Sequence, residues 1–361
     1  MRFSKPVLPS YLELKKDINN ILSNGLITNG KYVEYLEDLI KDYLGVRNVI
    51  SVSNCTSGLI ISIKSLNLPE GSEVILPSFT FLASALGVYW NNLKLKFVDV
   101  DKNTFLLDID DLKEKININT SAVLGVHQFG NPLVNPDLFK LCEEKKIKLF
   151  FDSAHALGAS SNHSKVGDLG CFEVFSLSPT KIITSGEGGI ISTNDDDLAE
   201  RIRRLRNYGL DHKYNCDVPG LNARMTEFEA IVGIHSFKNI ENNIRSRNFL
   251  ASVYIEELLD IDGIKFQKIS SDSISTYKYF CILHKYRNKI IKLLNLNNIE
   301  YKIYYDPSLH NTTKFRTNDI LPNTEYLEKR ILCLPIYPDL TDMDISKISR
   351  IVKFSLEEKS Y

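Results

Sequence analysis

From Asn48 onward, short apolar runs alternate with longer stretches whose apolar residues recur at helical spacing. NVISVS (Asn48 to Ser53), EVILPS (Glu73 to Ser78), LKFVDVD (Leu95 to Asp101), AVLGVHQFG (Ala122 to Gly130) and KLFFDSAHA (Lys148 to Ala156) read as strands, each ending in polar or glycine residues. SGLIISIKSL (Ser57 to Leu66), FLASALGVYW (Phe81 to Trp90) and PDLFKLCEEKKI (Pro136 to Ile147) read as the helices between them. Two further runs, CFEVFSL (Cys171 to Leu177) and GGIIST (Gly188 to Thr193), read as strands buried on both faces. This alternation predicts the α/β class, with a mostly parallel sheet flanked by helices.

The pattern changes around residues 240 to 275. A long polar helix, KNIENNIRSRNFLASVYIEELL (Lys238 to Leu259), leads into a stretch containing SSDSIS, followed by YKYFCILH, a helix near RNKIIKLLNLNNI, EYKIYYD and a closing helix DMDISKISRIVKFSLEEK (Asp342 to Lys359). The expected organisation is a large α/β unit with an N-terminal arm over residues 1–245 and a smaller α+β unit over 246–361.

Composition narrows the function classes. A formal charge of −1, with 43% hydrophobic and 25% charged residues, describes an ordinary globular chain and provides no dense basic surface for nucleic acid. In the most basic run, RIRRLRNYG (Arg201 to Gly209), Leu198, Ile202 and Leu205 share a helical face, so the arginines read as its solvated side. The six cysteines form no C-x-x-C pair, which argues against a metal knuckle or a disulfide framework. The start lacks an apolar signal region and no run approaches a membrane span, so the expectation is a cytoplasmic protein without membrane, metal or nucleic-acid partners.

Ligands of such sheets gather beyond the carboxyl ends of the strands. After the first strand, SNCTSG opens directly into a helix, where Thr56 and Ser57 can hold an anion such as phosphate or simply cap the helix. Asp152 stands at the end of an apolar strand, where a carboxylate needs a hydrogen bond or a cation. It fits either a protonated pyridine nitrogen or a strand-end cap. Lys181, between the two interior strands and followed by the glycines of SGEGG, is either a turn lysine or an amine that desolvation turns into a nucleophile for a carbonyl. Together the three supply the handles that pyridoxal 5'-phosphate requires: phosphate, ring nitrogen and aldehyde. No G-x-G-x-x-G follows the first strand, which argues against a dinucleotide oxidoreductase.

The segments SNCTSGL, ILPSFTFLASA, FVDVD, VHQFGNP, FDSAHALGA, FSLSPTKIITSGEGGII and GLNARMTEFEAIVG stand in an order and spacing that resemble the DegT/DnrJ/StrS-type aminotransferases, which aminate keto-sugars carried on nucleotides. The resemblance covers nearly the whole chain and implies the type I aminotransferase fold. It implies that Lys181 forms the internal aldimine, Asp152 pairs with the pyridine nitrogen, His155 lies near the phenolic oxygen and Phe81 stacks on the ring. Thr56, Ser57 and Ser176 would hold the phosphate, and Asn222 would reach the phosphate of a neighbouring subunit, since members build each site at a homodimer interface. Sugar-side contacts are expected from Thr28 to Lys31, Tyr305 and His310, although His310 fits a structural loop histidine equally well. Two positions depart from the pattern: Cys55, where glycine is commoner, and Ser178, where a histidine or aromatic is frequent.

The implied reaction moves an amino group from L-glutamate to a nucleotide-linked keto-6-deoxyhexose. The leading substrate is dTDP-4-keto-6-deoxyglucose, giving a 4-amino-4,6-dideoxy sugar for surface polysaccharide such as O-antigen. A 3-keto isomer and a UDP or GDP carrier are the near alternatives, and a catalytically silent regulatory relative is the distant one. Lysine at 181 favours transamination, since the dehydrating members carry histidine there.

Overall fold

The computed structural model describes residues 1–357, so Glu358 and Lys359 of the expected closing helix lie outside the described residues. The first strands are β1 (Asn48–Val52), β2 (Glu73–Pro77), β3 (Lys94–Val98), β4 (Thr120–Val126) and β5 (Lys148–Asp152). A short pair, β6 (Ser160–Ser161) and β7 (Ser164–Lys165), separates them from β8 (Glu173–Ser176) and β9 (Gly189–Thr193). Seven of these form one sheet in the order β1-β9-β8-β5-β4-β2-β3. Its pairings are parallel except at β9, which runs antiparallel to both β1 and β8. The sheet is therefore mostly parallel, as the alternation predicts, and its central strands are apolar because helices cover both faces.

The strands end earlier than the apolar runs suggest. β4 stops at Val126 because His127 to Gly130 turn away through Phe129, whose φ of 58° is left-handed. β5 stops at Asp152, after which Ser153 to Gly158 form turns. These stops place His127, Asp152 and His155 at one end of the sheet instead of within it.

A second sheet of β10 (Lys265–Phe266), β12 (Phe280–Leu283) and β13 (Ile331–Leu334) is antiparallel, and β11 (Ser273–Ile274) pairs with β6. The helix Ile240–Leu258 joins the two parts: Ile240 and Ile244 belong to the core beside the large sheet, while Leu250, Ala251, Tyr254 and Leu258 belong to the core under the small one. Between them the buried Arg247 donates from Nη1 to the carbonyls of Ile336 (2.8 Å) and Tyr277 (3.2 Å). The first residues lie against this second part, with the Glu300 N–H donating to the Met1 carbonyl (2.9 Å). Among the described residues, no helix is long and apolar enough to cross a membrane.

The basic run divides in two. Leu198, Ile202 and Leu205 are buried in the helix Asp196–Leu205, as the periodicity predicts. Arg206, however, is not on a solvated face: it is buried, donating to Glu37 Oε1 (2.8 Å) and to the Ser51 carbonyl (2.9 Å). It lies past the last helical turn, where the chain re-enters the sheet edge, and helical periodicity carries no information there.

Candidate active site

The carboxyl ends of β4, β5 and β8 open onto a cavity of about 290 Å3, closed on its other side by Tyr279, Tyr304 and Tyr305. Asn54, Cys55 and Thr56 bring the start of the helix Cys55–Ser65 to its wall. Asn54, not Thr56 or Ser57, is the N-cap: its Oδ1 accepts from the Ser57 N–H (2.8 Å) and the Ser57 hydroxyl (2.9 Å). Ser57 is thus turned toward Asn54, whereas Thr56 faces the cavity with Ser176 and Ser178. Gly189 lets the helix start approach β9, since a Cβ there would stand 2.8 Å from the Cys55 nitrogen.

Asp152 is buried at the tip of β5. Its Oδ2 accepts from Ser84 Oγ (2.6 Å) and its Oδ1 from the Ala154 N–H (3.1 Å). Ser84 spends its one proton on Asp152, so at its 3.0 Å contact with Thr80 Oγ1 it must be the acceptor. Both Thr80 and Asp152 border the cavity.

Lys181 sits on the loop between β8 and β9, and its Nζ has no hydrogen-bond partner among the described residues. Burial draws its ammonium below the ordinary lysine range, against the opposing pull of Cys55, Asp152 and Glu187. The loop is held by Leu177, whose carbonyl accepts from the Ser185 N–H (3.0 Å) and Thr184 Oγ1 (3.0 Å), and by Asn243, which donates to the Ile182 carbonyl (2.9 Å). His155 faces the same space. Burial first, then the nearby charges of Lys181 and Lys278, hold its imidazole well below the usual histidine range, so the ring is neutral at pH 7.

A layer of polar contacts behind the wall went unread in the sequence. His127 accepts from the Leu133 N–H at Nδ1 (2.8 Å), which leaves Nε2 to donate to Glu173 Oε2 (3.2 Å). Glu173 also accepts from Ser153 Oγ (2.5 Å) and the Gly167 N–H (2.6 Å), so one fully buried carboxylate ties the carboxyl ends of β4 and β5 to the start of β8. A strand glutamate inside an apolar run was the available signal.

Of the residues singled out in the sequence, Thr56, Phe81, Asp152, His155, Ser176, Lys181 and Tyr305 line the one cavity. Phe81 is half exposed at its rim, with its ring 6.4 Å from that of Tyr305. Thr28, Lys31, Asn222 and His310 stand away from it. Thr28 bridges Thr226, Lys31 begins the helix Lys31–Leu44, and Asn222 is exposed on a bridge to Asn207. His310 is buried, with Nδ1 in a 2.6 Å contact with Ser78 Oγ.

Comparison with known proteins shows the family and the fold. The model of the DegT/DnrJ/EryC1/StrS aminotransferase family matches residues 12–353. The chain is 30% identical to the dTDP-4-amino-4,6-dideoxy-D-glucose transaminase of Escherichia coli, covering 97% of each protein. It is 28% identical to the GDP-perosamine synthase of Vibrio cholerae, covering 94% of this chain and 95% of that one. Its structure is similar to that of DesI solved in the presence of its TDP-sugar product, with a TM-score of 0.92, 30% identity, and coverage of 98% of this chain and 92% of that one.

Proposed function

The chain belongs to the DegT/DnrJ/EryC1/StrS aminotransferase family and is a pyridoxal-phosphate-dependent nucleotide-sugar aminotransferase; we propose that its donor is L-glutamate and its acceptor dTDP-4-keto-6-deoxyglucose. The product is then the 4-amino-4,6-dideoxy sugar, destined for surface polysaccharide. The observation that carries the reading is the convergence of Thr56, Asp152 and Lys181 on one cavity.

These residues fit the cofactor. A helix start with free N–H groups suits its phosphate, a buried carboxylate its ring nitrogen, and an unpartnered, desolvated amine its aldehyde. In our reading Thr56 and Ser176 hold the phosphate, Asp152 the nitrogen, His155 the phenolic oxygen and Phe81 the ring face. Asn222 acts across a homodimer interface on the partner's phosphate, which accords with its exposure on this chain. When bound, the cofactor supplies an electron sink for the carbon that carries the amine. Lys181 Nζ takes the proton from that carbon and returns it, a role that the lowering of its pKa by burial favours. Tyr304 and Tyr305 exclude water from the far wall.

The choice of the 4-keto sugar rests on the Escherichia coli relative. A 3-keto acceptor is the second reading, since other relatives make 3-amino sugars. Incubation with glutamate and each keto-sugar, followed by NMR of the product, separates them. Turnover of the 3-keto sugar alone overturns the proposal.

A further inference from the structure

Two thiols face each other behind the cavity wall. Cys281 on β12 and Cys333 on β13 are direct partners in the antiparallel register, and their sulfurs stand 3.2 Å apart. Both side chains are buried. The Cys333 N–H donates to the Lys302 carbonyl (2.8 Å), and the Cys333 carbonyl accepts from the Lys302 N–H (3.2 Å). Both backbone groups of Cys333 therefore point away from β12, which makes Cys281 and Cys333 a non-hydrogen-bonded pair. Such pairs bring their Cα atoms to about 4.5 Å, inside the range of about 4.4–6.8 Å that a disulfide spans.

From this placement we infer that Cys281 and Cys333 are a reversible dithiol–disulfide pair, a redox modification site packed behind the wall of the cavity. The chemistry needs a two-electron oxidant of the peroxide class. One sulfur, as thiolate, attacks a peroxide oxygen; the O–O bond breaks, water leaves, and a sulfenic acid forms. The second sulfur then displaces the hydroxyl, the S–S bond forms, and a second water carries off the remaining proton. Two thiols and one hydrogen peroxide yield one disulfide and two waters, and a dithiol reductant reverses the change by exchange.

The pair connects to the cavity. Residues 279, 281 and 283 share a face of the strand, and Cys281 and Cys333 pack in one cluster with Phe79, Phe129, Tyr279 and Tyr305. Tyr279 and Tyr305 line the cavity itself. Burial and the partner thiol hold the Cys281 thiol well above its usual range, with Lys278 opposing, so oxidation is slow and follows local opening of the small sheet.

The test is a thiol map of the cofactor-loaded enzyme before and after hydrogen peroxide: alkylation in denaturant, digestion and mass spectrometry. The expected result is a Cys281–Cys333 peptide pair lighter by two hydrogens, which dithiothreitol converts back to two alkylated cysteines. Recovery of both as free thiols while the exposed Cys216 is oxidised would overturn the inference. So would a bridge from either one to another cysteine. The wild-type map decides without any variant; Cys281→Ser and Cys333→Ser should each abolish the linked peptide and leave the remaining thiol alkylated.

Discussion

Ser84 Oγ donates a 2.6 Å hydrogen bond to Asp152 Oδ2, and both side chains are buried. The serine comes from the helix Leu82–Tyr89 and the aspartate from the tip of β5, so a helix start fixes the direction in which a strand-end carboxylate points. A hydrogen bond to a charged group contributes about 1.5–3 kcal/mol. Ser84→Ala should therefore lower kcat/KM by roughly tenfold or more, and Ser84→Thr should restore much of it. Asp152→Asn should still bind cofactor while losing most of the rate. Wild-type kinetics in Ser84→Ala would show that the contact does not orient Asp152.

Lys181 is the second cavity residue to which the proposed function gives a role. Because burial lowers its pKa, capture of pyridoxal phosphate should reach its maximal rate below the pH at which an ordinary lysine loses its proton. Borohydride reduction of the loaded enzyme should leave a cofactor adduct on the peptide carrying Lys181. Lys181→Ala should carry no adduct there and should have no turnover. An adduct on another lysine, with activity retained, would remove Lys181 from its role.

Why Lys181 and Asp152 were legible is a matter of locality. Each stands at a strand end marked by a change from apolar to glycine or polar residues, and that punctuation is contained in a few neighbouring positions. Ser84, Tyr279 and Tyr304 carry no such mark. Ser84 touches Asp152 from a helix start, and Tyr279 and Tyr304 line the cavity from segments beside the second sheet, all far from residues 152 and 181 in the chain. Cap identity was lost for a smaller reason: Asn54, Thr56 and Ser57 are all good capping residues, and only the backbone turn selects Asn54. Arg206 was misread because an arginine run looks solvated until its carboxylate partner, Glu37, is brought across from another helix.

Lys278 offers a stability test. It is buried, its Nζ has no hydrogen-bond partner among the described residues, and it lies 3.9 Å from the centre of the Tyr279 ring. Burial, then Arg247 and Lys181, push its ammonium well below the ordinary lysine range. An unsatisfied buried polar group costs about 1–3 kcal/mol, and the contact with the ring offsets part of this. Lys278→Met should thus raise the urea midpoint. A clear loss of stability would mean that the amine has a partner of greater value than the ring.

His155 governs the acid side. Its folded pKa lies well below 6.5, chiefly through burial, so the unfolded chain takes up a proton near pH 6.5 that the folded chain refuses. Below that pH the unfolded state binds more protons, and stability falls with the pH until the folded pKa is reached. Buried His310, shifted in the same direction by burial, adds to the slope. Urea melts of the cofactor-free protein between pH 7.5 and 5 should show this decline, and His155→Gln should flatten it. An unchanged slope in the variant would assign the decline to other groups.

Glu227 caps a helix from outside. The helix Lys31–Leu44 begins at Gly30, which has no side chain to accept its first N–H groups. The Glu227 carboxylate takes that place, accepting from the N–H groups of Gly30 (3.0 Å), Tyr32 (3.1 Å) and Val33 (2.9 Å). A Cβ at position 30 would lie 3.0 Å from Glu227 Oε2 and 2.6 Å from Cδ2 of the exposed Leu26, so a larger residue there would displace these side chains. The loop from Thr28 to Lys31 is therefore pinned by a buried residue of the TEFEA segment. Glu227→Ala leaves three donors without their acceptor and should cost roughly 2–4 kcal/mol in a urea melt. Glu227→Gln keeps one accepting oxygen and should cost less. The same variants separate stability from function: if this loop contacts the sugar nucleotide, Glu227→Gln should raise KM for the keto-sugar while leaving the glutamate half-reaction unchanged. Equal effects on both half-reactions would restrict Glu227 to holding the fold.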